Sequence, residues 1–225
     1  EREYRREDAN KMAQDLGVKL HLKKGNILQN DAKNDIIDVV EVPKNDEQHG
    51  LIDTKTGQVV NTNIVELKEK NIEQLGNFNE KNGWYVDWKK LGKRKGTKVF
   101  AMQAEGSKSV EGLMAITHDE NYQSTKVDWV VTNPHNNKQK GDGSQKYKGV
   151  GSLMVAKAAE ESIKAGYGGH LHAEANTKET LAHYQKNWGA QFVGRSGATG
   201  YPIVFDEKAA AELIRKYSAK TKKEE

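Results

Sequence analysis

Lys146-Tyr147-Lys148-Gly149-Val150-Gly151 runs straight into Ser152-Leu153-Met154-Val155-Ala156. A basic turn punctuated by glycines thus feeds an amphipathic helix. Glycine lets main-chain N–H groups close on a ligand without side-chain obstruction. A helix N-terminus adds unpaired donors and a partial positive charge. Together they form a receptor for a pyrophosphate. Other phosphate motifs are excluded by spacing. No Gly-x-x-x-x-Gly-Lys-Ser/Thr run exists, and the third glycine of a dinucleotide fingerprint is replaced by Met154.

Other residues could also do chemistry. His170 and His172 alternate on an expected strand and so share a face, and His-x-His can bind a metal. No third ligand stands at a telling spacing, Glu174 included, and no metal site is assigned. His118 and His135 are candidate proton carriers. In Lys126–Thr132, strict alternation puts Asp128, Val130 and Thr132 on one face, opposite Val127, Trp129 and Val131.

The elements that must position these groups come next. The chain has 225 residues, which fits one or two domains, with 35% hydrophobic and 30% charged residues. Cys 0 excludes disulfides and cysteine-based zinc sites and fits a reducing, cytoplasmic setting. No apolar run nears the roughly 20 residues of a membrane-spanning helix. The net charge of +4 suits an anionic ligand but falls short of a nucleic-acid footprint. The sequence opens at Glu1 rather than Met, which fits a processed product or a domain of something longer.

Apolar periodicity predicts a helix over residues 1–17, a strand over 18–22, and a β-branched strand over 35–42 ending at Pro43. Leu51–Val60 reads as a hairpin turning at Thr54-Lys55-Thr56-Gly57. Ile64–Leu75 reads as a helix closed by Gly76, and the polar stretch Gly76–Gly83 as a boundary. Residues 1–80 are then an N-terminal α/β accessory region and 81–225 a second domain. In that domain, strands are expected at Lys98–Ala104, Val110–His118 and Lys126–Thr132, the last ending before Pro134. A polar loop over 136–145 leads to the glycine turn, followed by a helix over Gly151–Ala165. A strand over Gly169–Ala175 precedes a helix carrying Leu181, Tyr184 and Trp188, with Asn176 as its cap and Glu179 at the capping-box position. Short strands at Gln191–Val193 and Tyr201–Phe205 and a helix capped by Asp206 complete the chain. The basic tail after Ser218 is expected to fray.

Three strands, a glycine turn, a helix, a strand, a helix and two short strands, in that order, resemble the GCN5-related N-acetyltransferase (GNAT) superfamily over roughly Trp84–Phe205. Lys146, Gly149 and Gly151 match the family's Arg/Gln-x-x-Gly-x-Gly/Ala motif, with Lys replacing the first residue. Tyr184 to Phe192 is similar to the aromatic-x-x-x-Gly-Phe helix end, loosened by Ala190 and Gln191. The chain is most similar to small bacterial and mobile-element or phage members. The resemblance implies an α+β fold with a central, mostly antiparallel twisted sheet flanked by helices. It implies an acetyl-CoA-dependent N-acetyltransferase that acts by direct attack in a ternary complex, on an amine-bearing small molecule, protein or peptide.

By the same resemblance, Lys146, Lys148, Gly149, Val150, Gly151 and Ser152 bind the pyrophosphate. Val130, Val131 and Thr132 bond pantetheine as an added strand, one N–H polarising the thioester oxygen. Asn176 contacts pantetheine, and Tyr184 protonates the leaving sulfur. Asp128 is the carboxylate available as base, with Glu111 second. Trp84, Tyr85 and Trp88 precede the first strand of the match, where the family lines its acceptor site, though plain core packing is the more common role of aromatics there. Two other classes stay open. One is a non-catalytic CoA-binding or interaction module of a larger protein. The other is a basic nucleic-acid binder, which lacks an interleaved aromatic-basic strand or recognition helix.

Overall fold

The computed structural model describes residues 49–137, 145–194 and 200–218. The elements expected over 1–17, 18–22 and 35–42, most of the polar loop over 136–145 and the tail after Ser218 lie outside them. The described residues form one nine-stranded sheet in the order β6-β1-β2-β3-β4-β5-β7-β9-β8. Its strands are β1 (His49–Asp53), β2 (Val59–Glu66), β3 (Thr97–Ala104), β4 (Val110–Asp119), β5 (Ser124–Thr132), β6 (Tyr147–Lys148), β7 (Leu171–Ala175), β8 (Gln191–Phe192) and β9 (Tyr201–Phe205). Every pairing is antiparallel except β5 with β7. The fold is therefore mixed α+β, with an open, mostly antiparallel sheet flanked by helices.

Alternation along the central strands loads both faces. On β3, Phe100 and Met102 join a core beneath the helices α3 (Val150–Lys164) and α5 (Glu207–Tyr217), where Leu153, Met154 and Leu213 also sit. Val99 and Ala101 point the other way, into a second core with Leu75, Trp84 and Trp88. That second layer is built from the short helices α1 (Glu69–Ile72) and α2 (Trp88–Gly92) and the 3-10 turns around them.

Three expectations change here. Ile64–Leu75 is not one helix. Ile64 and Val65 close β2, paired with Met102 and Ala101, because β-branched residues fit a covered, pleated edge. The helical part shrinks to α1 and a following 3-10 turn. The stretch Gly76–Gly83 lies inside the second layer, where the Phe78 and Trp84 rings sit 4.9 Å apart. β1 and β2 extend the sheet beyond β3, so residues 49–80 share its cores. Finally, α3 is more than amphipathic. It lies between sheet and α5, and even Lys157, Glu160 and Glu161 are buried, satisfied by Lys157–Glu160 and Lys157–Glu161 pairs at 3.4 and 3.3 Å.

The hairpin forms as expected. Asp53 Oδ1 accepts from the N–H groups of Lys55 and Thr56, both at 2.9 Å, and Gly57 turns the chain at φ 71°. The glycine turn is tied to this hairpin, since β6 pairs with β1 through Ile52↔Lys148 and Asp53↔Tyr147.

α3 approaches β4 closely because Gly112 has no side chain. A Cβ there would meet Val150 Cγ1 at 2.6 Å and Met154 Cε at 3.3 Å. We expect Gly112→Val to destabilise by about 1–3 kcal/mol and to lower Tm by roughly 3–10 °C in a circular-dichroism melt. Gly76→Ala, where a Cβ meets nothing within 4 Å, serves as the control and should leave Tm within about 2 °C.

Candidate active site

β5 and β7 pair only through Thr125↔Leu171 and Lys126↔His172. Beyond that point they diverge. The divergence coincides with a bulge, because Ala115 of β4 faces Trp129 while Ile116 faces Val127, leaving Asp128 as the extra residue. A cavity of about 530 Å³ opens in the gap. Val130, Val155, Asn176 and Tyr184 line it from the α3 side, and Tyr85, Arg94 and Trp129 from the opposite layer, so it passes through the sheet.

The backbone of β5 facing this cavity has no strand partner past Lys126. Asn133 N–H bonds Glu111 O at 2.9 Å, toward β4. Strand alternation then turns the N–H groups of Val130 and Thr132 into the cavity and that of Val131 toward β4. The Val131 side chain is buried in the second core. The bulge also corrects the expected faces. Val127 and Val130 pack together in the α3 core, whereas Trp129 and Val131 pack in the other. Asp128 is therefore no longer on the face of Val130.

Thr132 pairs with Gly112, which lies beneath Val150, so the cavity ends near the start of α3. Gly149 is the N-cap residue at φ 100°, without a side-chain cap bond. Its carbonyl receives Leu153 N–H at 3.0 Å, and the N–H groups of Val150, Gly151 and Ser152 form the open first turn. The Val150 side chain is buried, while Gly149, Gly151 and Ser152 are partly exposed. Trp188 lies against this turn. Its Nε1–H donates to Ser152 Oγ at 3.1 Å, and a Cβ on Gly151 would reach its ring at 3.5 Å. Lys146 and Lys148 are exposed, and the Lys146 ammonium stands 4.9 Å from the Tyr147 ring centroid.

A buried relay fixes the turn. Asn136 Nδ2 donates to Glu111 Oε2 at 2.7 Å, and Asn136 Oδ1 accepts from Tyr147 N–H at 2.9 Å. His135 Nε2 meets the same Glu111 oxygen. Glu111 is another bulge residue, between Val110↔Gln103 and Gly112↔Met102, and is fully buried. It is sealed away from the cavity lining and is a strut for the turn, not a base that meets substrate. Nothing in its sequence context distinguished the two roles.

Tyr184 stacks on Trp188, with ring centroids 4.4 Å apart and planes at 14°, and burial pushes its phenol above the ordinary tyrosine value. A phenol held protonated is a proton donor at neutral pH. Asn176 does not cap its helix, α4 (Lys178–Trp188). Thr177 does, accepting Thr180 N–H at 3.1 Å, because its hydroxyl sits one residue closer to the first turn. Asn176 is left exposed on the cavity wall. Asp128 lines the cavity too, but its oxygens accept from Thr117 Oγ1 at 2.6 Å and face Arg94 at 2.8 Å and Lys126 at 3.4 Å. Taking a proton there means displacing those partners.

Of the aromatics before β3, Trp84 and Trp88 are core residues at 6% and 0% exposure. Tyr85 is 43% exposed and enters the cavity lining. Its φ is 65°, and Val86 N–H bonds Trp84 O at 2.8 Å, a three-residue γ-turn. Such backbone strain at a bulky residue costs about 1–3 kcal/mol. Arg94 is a cavity residue that sequence reasoning did not reach, because one arginine in a basic stretch carries no signal.

His172 Nδ1 bonds Ser124 Oγ at 2.7 Å and His118 Nδ1 bonds Thr125 Oγ1 at 2.9 Å. Among the described residues no group of three His, Asp or Glu could hold a metal ion. No helix among them is long and apolar enough to cross a membrane.

No family model matches this chain, and no curated protein matches it. Solved structures do. Mutant forms of the spermidine/spermine N-acetyltransferase SpeG from Vibrio cholerae align at TM-score 0.49 and 10% identity, over 67% of this chain and 96% of that one. Apo FdhC, described as a nucleotide-linked sugar GNAT, aligns at TM-score 0.48 and 14% identity, over 75% and 95%. A nourseothricin acetyltransferase aligns at TM-score 0.37 and 15% identity, over 49% and 64%. At these scores the likenesses do not bear on activity.

Two outcomes test the site's construction. Asn136→Ala strands Tyr147 N–H and leaves the buried Glu111 Oε2 with His135 alone, and should destabilise by about 1–3 kcal/mol in urea unfolding. Burial holds the imidazoles of His118 and His172 below the ordinary histidine value. The unfolded chain then binds more protons near pH 6, so this stability is complete above about pH 6.5 and is lost as pH falls through the folded values. Tm should decline from pH 7 to 5, and His118→Gln with His172→Gln should flatten that decline.

Proposed function

We propose that this chain is an acetyl-CoA-dependent N-acetyltransferase that passes an acetyl group directly to an amine acceptor, a small molecule or a peptide, in a ternary complex. The observation that carries the reading is the parted β5–β7 pair. It sets the N–H groups of Val130 and Thr132 along one side of a cavity that ends near the open first turn of α3.

Acetyl-CoA supplies an activated acyl carbon. The N–H groups of Val150, Gly151 and Ser152, with Lys146 and Lys148, face its pyrophosphate, where helix-end donors and charge act together. Val130 and Thr132 then bond pantetheine as a strand would, and one of their N–H groups polarises the thioester oxygen as an oxyanion hole does. Asn176, freed from capping, reaches the same arm. The amine nitrogen attacks the acyl carbon, the C–S bond breaks, and Tyr184 gives its proton to the departing sulfur. The amine proton leaves to water, and the Tyr184 phenolate takes a proton back from solvent. Asp128 holds Arg94 and Lys126 at the acceptor side, a positioning role that its three contacts favour over that of base.

The test is free-thiol release from acetyl-CoA with a panel of amines. Tyr184→Phe should lower kcat about 10–100-fold with the acetyl-CoA KM unchanged. The raised phenol value predicts no loss of wild-type rate on this account between pH 7 and 9. Failure to bind acetyl-CoA overturns the reading. Binding without turnover of any amine leaves a non-catalytic CoA-binding module.

A further inference from the structure

We propose that Tyr85 is the specificity-determining residue of the acceptor side, and that with Trp129 it selects an amine carried on a flat, apolar body. The inference rests on the acetyltransferase reading and names its substrate class.

The backbone argument comes first. Tyr85 sits at φ 65° at the centre of a γ-turn that glycine would enter without strain. The turn cannot relax, because both flanks are fixed. Trp84 O accepts from Val86 N–H at 2.8 Å and from Trp88 Nε1–H at 2.9 Å, and both indoles are buried. Asp87 caps α2 by accepting Lys90 N–H at 2.9 Å. Gly83 packs so tightly on Pro134 that a Cβ would meet Cγ at 2.8 Å. Tyr85 is strained, rigidly flanked and 43% exposed, and it lines the cavity. Strain that a fold retains at a cavity wall points to a ligand.

The surroundings define that ligand. Trp129 is half-buried and lines the same cavity, so two aromatic rings serve one space. Asn137 Nδ2 lies 3.4 Å from the Tyr85 hydroxyl, which steadies the ring. Charge near them balances, Arg94 and Lys126 against Asp128 and Glu174, all in the lining. A polycation needs an excess of carboxylate, and among the described residues no such excess lines the cavity. Aromatic walls with balanced charge instead match a single amine on a planar apolar frame.

Tryptamine and spermidine are the probes, with thiol release from acetyl-CoA as the readout. Wild-type kcat/KM should favour tryptamine at least about tenfold. Tyr85→Gly removes both ring and strain. It should melt no lower than wild type and keep the acetyl-CoA KM, yet raise the tryptamine KM about tenfold or more. Tyr85→Phe should restore most of the loss. A tryptamine KM within about twofold of wild type in Tyr85→Gly overturns the inference, as does a preference for spermidine. If acetyl-CoA binds but neither amine is acetylated, the inference fails while the cofactor reading stands. If acetyl-CoA does not bind, both fail.

Discussion

Parallel strands β5 and β7 share only two residue pairs before they separate. Main-chain donors and acceptors in a protein interior require partners. The separated edge of β5 must therefore meet water or a ligand, and every other feature of the site is arranged around that edge. The bulge at Asp128 bends β5 away, Val155 and Tyr184 supply one wall, and Trp129 and Tyr85 supply the other. A continuous β5–β7 ladder would close the cavity and leave the glycine turn facing nothing.

The second requirement is that the turn stay in place beside the opening. Gly149–Ser152 follows directly on the two-residue strand β6. Its position is set by the β1 hairpin, which pairs with that strand, and by Asn136, which ties Tyr147 N–H to the buried carboxylate of Glu111. In a low-dielectric interior such a polar relay is strong when complete and destabilising when broken. β1 belongs to the part of the chain that looked accessory, yet it pairs with the strand that leads into the glycine turn.

Much of this was legible in the amino-acid order. The glycine turn, the helix behind it, the strands over 97–132 and the Thr54–Gly57 hairpin all follow from local signals: positive-φ glycines, β-branched runs and short polar turns. What was hidden depends on tertiary context. Bulges at Asp128 and Glu111 shift the alternation, and no local residue marks them. The helix read over Ile64–Leu75 gives way to β2 because its edge pairs with β3, a contact some forty residues away. Asn176 and Thr177 are both good caps, and only the geometry of α4 decides between them. Glu111 and Asp128 look alike as strand carboxylates. One is sealed in a relay, and the other is held by Arg94 and Lys126 at the mouth of the cavity.

Residue-resolved amide hydrogen exchange with and without CoA tests the central claim most directly. If the parted edge and the helix start together receive the coenzyme, the N–H groups of Val130, Thr132, Val150, Gly151 and Ser152 slow together when CoA is added, while those of β8 and β9 do not change. Slowing confined to other parts of the chain, or none at all, would contradict it.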